Sequence, residues 1–185
     1  MKQPNKQVTS LKETIRNRRA VKKGYTNKEV TEELVRELLS DATWAPTHGM
    51  REPWRFVFVH QDRLSTFAKE VSQTYPDELK ENREAYLNEP NAILVAIMDE
   101  PTQQKQYDEN FGAIASLIQN FWLLAWEKDL GVVWKTNPHI YNEAVRDIVG
   151  VKENEKIVGF IHLGYFDEEP IIKERTDINH LFSVY

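Results

Sequence analysis

Residues 108–136 read DENFGAIASLIQNFWLLAWEKDLGVVWKT, and this stretch decides the fold. Phe111, Ile114, Ile118, Phe121 and Ala125 recur at three- and four-residue spacing, which marks one face of an α-helix. Leu117, Trp122, Leu124 and Trp126 fill the other faces. A helix that is apolar nearly all round is expected to be buried on most sides. Asp108 and Glu109 are expected at its positive end, with Gly131 stopping it just after the last turn. Val132, Val133 and Trp134 then begin a β-favouring run through Thr136, so a long central helix feeds directly into a strand.

Outward from this core, Ala92–Met98 (AILVAIM) is unbroken apolar sequence bounded by Pro90 and Pro101, as expected of a buried strand. Lys156–Gly164 (KIVGFIHLG) predicts the last core strand and Phe56–Val59 an earlier one. Ser10 with Glu13 fits a capping box for a short helix through about Arg16. Thr31, followed by Glu32 and Glu33, opens an amphipathic helix through Ala42. Asp62 is a candidate cap for a helix containing Leu64, Phe67, Ala68 and Val71, and Asn137-Pro138 for one that Gly150 closes. Residues 75–90 are polar and loosely periodic, read as an exposed helical excursion covering a site. From Tyr165 the tail is irregular and ends in an apolar Leu181–Tyr185 suited to docking. Strands and helices mix without regular alternation, and nothing divides the chain. One α+β domain over residues 1–185 is expected, with a mixed or antiparallel sheet flanked by helices.

Composition excludes several chemistries. The chain has no Cys, which removes disulfides, thiolate nucleophiles and Cys-based metal sites. A net charge of −5 argues against nucleic acid, and the longest apolar run is too short to span a bilayer. Met1–Thr9 are polar, without the apolar core of a signal peptide, so a cytoplasmic protein is expected. The seven glycines form neither G-x-G-x-x-G nor a P-loop, and the five histidines show no metal-ligand spacing. His60 and His162, on predicted strands, are expected to be structural. With no nucleophile elbow either, an enzyme built on this chain needs a bound organic cofactor for its hard step.

Two segments can hold such a group. Residues 16–24 carry five cations in nine positions, either as a solvated charged face or as an anion site at a helix end. The stretch Trp44–Phe56 contains two prolines and a glycine, so it is a loop, and it carries Trp44, His48 and Arg51. Simple packing of Trp44 and Trp54 is the competing reading.

Four stretches, taken together, resemble the nitroreductase family of FMN-dependent, dimeric α+β flavoproteins, in its short bacterial NAD(P)H nitroreductase branch. They are Arg18-Arg19-Ala20-Val21-Lys22, Ala45–Phe56, Gly131–Thr136 and Lys156–Gly164, in family order. The resemblance implies FMN held by Arg18, Arg19, Ala20, Lys22, Trp44, His48, Trp134, Lys135 and Thr136. The resemblance also implies that a basic residue of the tail, Lys173 or preferably Arg175, reaches the phosphate. It implies a homodimer with FMN sites at the subunit interface, and no metal. It further implies ping-pong hydride transfer from NADH or NADPH to an electron-poor acceptor such as a nitroaromatic or quinone, with no catalytic side chain. Ala20 stands where the family commonly has Ser, Met50 where it has Asn, and Glu52 where it has Gln. Those departures leave a non-catalytic flavin-binding protein as the alternative.

Overall fold

The computed structural model describes residues 10–185; Met1–Thr9 lie outside the described residues, and with them the reading that they hold no signal-peptide core. Four strands form one antiparallel sheet: β1 (Trp54–Val59), β2 (Ala92–Asp99), β3 (Leu130–Lys135) and β4 (Glu155–Tyr165), in the order β1-β2-β4-β3. β2 is apolar from Ala92 to Met98, where both of its faces are covered, and only Asp99 at its end is exposed. Leu94, Ala96 and Met98 pack against α2 (Glu32–Ala42) and α5 (Gln104–Glu127). Ile93, Val95 and Ile97 pack on the opposite face against α3 (Gln61–Ser72) and α6 (Glu143–Val149). A bulge lies between Ala96 and Ile97 in the register with β4, leaving Val158 without a partner. The indole of Trp134 takes up the Val158 carbonyl (3.1 Å) and lies on Gly159, where a Cβ would overlap it.

The short helix α1 (Leu11–Asn17) has the expected capping box: Ser10 N–H donates to Glu13 (2.9 Å) and Glu13 N–H to the Ser10 hydroxyl (3.3 Å). Thr31 caps α2 as expected. The polar stretch 75–90 contains α4 (Asp77–Leu87), whose one buried residue is Leu87. Gly150, at φ +69°, closes α6.

Several boundaries differ from expectation, each for a local reason. The helix α5 begins at Gln104, so Asp108 and Glu109 lie in its second turn; Glu109 pairs there with Arg51 (2.6 Å). Phe111 is 42% exposed, and Trp122, Leu124 and Trp126 are half-buried. Asp129, at φ +58°, makes the turn out of α5, whereas Gly131 is already in β3. Gly131 is small for another reason: a Cβ would lie 2.8 Å from Val21 and from the Gly164 carbonyl. His60, not Asp62, is the N-cap of α3, and it bonds Glu29 (2.8 Å). Pro138–Tyr141 form a single 3-10 turn, and Asn142 caps the separate helix α6. β1 starts two residues before the expected Phe56, and the loop ahead of it includes a 3-10 turn, His48–Met50.

Candidate functional site

The residues that leave α1 run along the free edge of β3. Arg18 is the C-cap of α1, its N–H bonded to Thr14 (2.9 Å). Ala20 then bridges Val132 in parallel, and Val21 N–H donates to the Val132 carbonyl (3.2 Å). Gly131 permits this close approach. From the other side α5 fixes the same segment, since the Trp122 indole donates to the Arg19 carbonyl (3.1 Å). The Arg18 guanidinium stacks over the Trp122 ring, 4.3 Å from its centroid. Arg19 folds back onto the carbonyls of Arg16 (2.6 Å) and Arg18 (2.9 Å).

This segment forms one wall of a cavity of about 880 Å³. The other wall is the start of the tail, residues 170–175, with Ile171 and Ile172 giving it an apolar lining and Arg175 a further cation. Arg18, Arg19, Lys22 and Arg175 thus converge on one space, with Ala20 between them. None is ion-paired with a carboxylate among the described residues, although Glu174 also lies on the wall. The Nε atoms of Arg18 and Arg19 are buried without an acceptor. Burial, then the charges of Arg175 and Arg19, pull the pKa of Arg18 down. Four cations held together against their own repulsion, with donors unused, are suited to an oxyanion.

The remaining sequence-predicted residues lie elsewhere in the monomer. Trp44 is 89% exposed at the end of α2. His48 is exposed on the following loop, with Nδ1 3.8 Å from Glu109. Gly49, Met50 and Glu52 in that loop all have positive φ. Trp134 packs its indole on the β4 bulge, and Lys135 places its ammonium 5.0 Å from the centre of the Tyr86 ring. Thr136 is exposed just beyond β3. Sequence reading missed Trp122 as a platform. Its neighbours make it look like one more core residue, and only its contact with Arg18 sets it apart.

Comparison with known proteins identifies the family. The model of the Nitroreductase family matches residues 15–165. "Putative NAD(P)H nitroreductase YfhC" of Bacillus subtilis is 34% identical, over 96% of this chain and 95% of its own. A nitroreductase-like family protein from Bacillus cereus has a crystal structure that superposes with a TM-score of 0.90 at 36% identity, covering 96% of each chain. A protein from Desulfovibrio desulfuricans, solved in complex with FMN, shares the fold at 21% identity with a TM-score of 0.74, over 93% of this chain and 94% of its own. With a matching family model over most of its length and a full-length relative above 30% identity, this chain belongs to the Nitroreductase family.

Proposed function

We propose that this chain is an FMN-dependent oxidoreductase that works as a homodimer. The observation that carries the reading is the group Arg18, Arg19, Lys22 and Arg175, unpaired with any described carboxylate and facing an 880 Å³ cavity. That donor set fits the phosphate of FMN, and the apolar wall beside it suits the rest of the molecule. When bound, FMN supplies two-electron chemistry, by which NADH or NADPH reduces in turn an electron-poor acceptor such as a nitroaromatic or quinone.

The protein's part is binding and electrostatics. Arg18 and Arg19 donate charge-assisted hydrogen bonds to the phosphate, and Trp122 holds the Arg18 guanidinium in place. Arg175 closes the phosphate end from the tail. Lys22 adds positive charge where the cofactor gains negative charge. Ala20 keeps the segment on the β3 edge, whose continuation through Trp134, Lys135 and Thr136 we assign to the cofactor's surroundings. Trp44 and His48 are exposed and apart from the cation cluster, so we assign them to the cofactor of a second copy. The exposed apolar side chains of Trp44, Phe111, Ile171, Leu181, Phe182 and Val184 support such an interface.

The visible spectrum of the purified protein tests this reading. Flavin bands that bleach anaerobically on addition of NADH or NADPH are expected. Bands that persist favour a flavin-binding protein without turnover, the reading that Met50 and Glu52 support in place of the family's Asn and Gln. A colourless protein that FMN does not reconstitute overturns the proposal.

A further inference from the structure

The helix α4 has a single fully buried side chain, yet it lays Arg83 and Tyr86 over the sheet face opposite α5. There they meet His162 of β4, Lys135 of β3, and His139 in the turn after β3. The rings of Tyr86 and His162 are 5.3 Å apart. The Lys135 ammonium lies 5.0 Å from the Tyr86 ring centre, and the Arg83 guanidinium 5.9 Å from it and 5.7 Å from that of Tyr75. The Tyr75 hydroxyl is 2.6 Å from His139 Nδ1.

The polar inventory of this cluster does not close. His139 and His162 are 4% and 1% exposed, and the Nε2 atom of each is buried without a partner, as is Arg83 Nε. Burial and neighbouring cations hold both imidazoles well below the usual histidine pKa, His139 at about 4 and His162 at about 3. When the Tyr75 hydroxyl donates to neutral His139 at Nδ1, the ring proton is on Nε2, a donor with nothing to receive it. Neither Arg83 nor Lys135 is ion-paired with a described carboxylate. Cation–π contacts with the tyrosines account for the two cations but leave the imidazole and guanidinium nitrogens unsatisfied.

We propose that this cluster is a second anion site, covered by α4, that takes a small oxyanion such as the carboxylate or phosphate end of a small molecule. A carboxylate, or the ionised oxygens of a phosphate, supplies the acceptors that His139 Nε2–H and Arg83 Nε–H lack, and its charge offsets those of Arg83 and Lys135. Lys135 reaches this site with its side chain, while its backbone belongs to β3, the strand that Ala20 bridges at Val132. The contacts of Arg18, Arg19 and Arg175 are made with other residues, Trp122 and backbone carbonyls, and not with this cluster.

The test follows the imidazole signals of His139 and His162 by nuclear magnetic resonance. The protein is titrated with inorganic phosphate or with benzoate, before and after loading with FMN. A saturable shift of both histidines with at least one probe is expected. Lys135→Met should weaken it roughly tenfold or more, as loss of a charged hydrogen-bonding partner does. Lys135→Arg should recover part of it, and Arg175→Ala should leave it unchanged. A response to phosphate alone identifies a tetrahedral oxyanion, and a stronger response to benzoate an aryl carboxylate. The proposal is overturned if neither probe moves the histidines, or if Lys135→Met responds like the parent protein. It is also overturned if FMN loading alone abolishes the response, because the cluster then serves the cofactor. The signals are read without FMN as well, so failure of the flavin reading does not decide this one.

Discussion

Arg18→Ala separates a binding role for the cation cluster from a structural one, because the two predict opposite outcomes. In the folded chain the Arg18 guanidinium gains a stacking contact with Trp122, about 0.5–1 kcal/mol where partly exposed. Against this stand partial burial and the charges of Arg175 and Arg19, which together pull its pKa down. The two contributions offset each other, so without flavin the variant should melt within about 4 °C of the parent, the shift for about 1 kcal/mol in a chain of this size. With flavin the balance changes. Charge-assisted hydrogen bonds contribute about 1.5–3 kcal/mol, so losing a two-pronged contact with phosphate should cost about 3 kcal/mol or more. That is a weakening of FMN binding by about 150-fold. Titration of flavin-free protein with FMN, followed by quenching of flavin fluorescence, measures the affinity, and a thermal melt of the same sample measures the stability. Arg18→Lys, which keeps the charge but loses the planar fork, should fall between the two. An affinity within about threefold of the parent, under 1 kcal/mol of change, would refute the phosphate assignment. So would a collapse of the melting temperature without flavin, which would mean that Arg18 serves the fold.

Four further outcomes follow from the same structure. Glu155 is buried and accepts from Arg55 (2.8 and 2.6 Å) and from Lys152 N–H (2.8 Å), so Glu155→Ala should cost about 3 kcal/mol in urea unfolding; a loss below about 1 kcal/mol would mean that solvent screens the partly exposed Arg55. Stability should fall as pH drops from about 6.5 to about 4. In that range the unfolded chain takes up protons on His139 and His162 that the folded chain, with pKa values of about 4 and about 3, does not, at up to about 1.4 kcal/mol per pH unit for each. The double variant His139→Gln and His162→Gln should flatten that limb. An unchanged slope would show that the imidazoles charge in the fold; at lower pH Glu155, held below its usual 4.5 mainly by Arg55, adds its own loss. Gly159→Ala should destabilise by about 1–3 kcal/mol, because its Cβ would overlap the Trp134 indole and lie 2.8 Å from the Lys135 carbonyl; a neutral melt would mean that the bulge relaxes. Ending the chain after Pro170 should turn the proposed dimer into a monomer by size exclusion and weaken FMN binding through loss of Arg175; a truncated protein that elutes as a dimer would remove the tail from the proposed interface.

Most of the fold was legible because the elements differ in pattern. β2 could be nothing but a covered strand, and the caps at Ser10, Thr31 and Gly150 stand where their chemistry requires. The boundaries that moved are those where a residue had two equally good roles. Gly131 looks like a helix stop, but its smallness serves the approach of Val21, and Asp129 makes the turn instead. Asn137-Pro138 looks like a helix start, yet the chain makes a 3-10 turn and begins again at Asn142. The cation cluster was legible as a candidate anion site, with a solvated charged face as the competing reading, but not as a geometry. Only the folded chain shows that Arg175 reaches Arg18 and that no described carboxylate pairs with either.

The unusual composition of α5 is explained by the number of surfaces it has to serve. Ile114, Ile118, Phe121 and Ala125 supply the core, as for any amphipathic helix. A helix with that task alone would be polar on its remaining faces. Here Trp122 faces the segment after α1, its indole holding the Arg19 backbone and its ring the Arg18 guanidinium. Trp126 stacks on Phe166, 5.5 Å away, where the chain leaves β4 for the tail. One wall of the cavity and the start of the tail are therefore tied to one helix, through two tryptophans four residues apart. The N-terminal half leaves Phe111 42% exposed, an apolar side chain that the chain covers only in part. Periodicity found the helix. Of its apolar residues beyond that period, Leu117 and Leu124 join the core, whereas Trp122 and Trp126 make the contacts around the site.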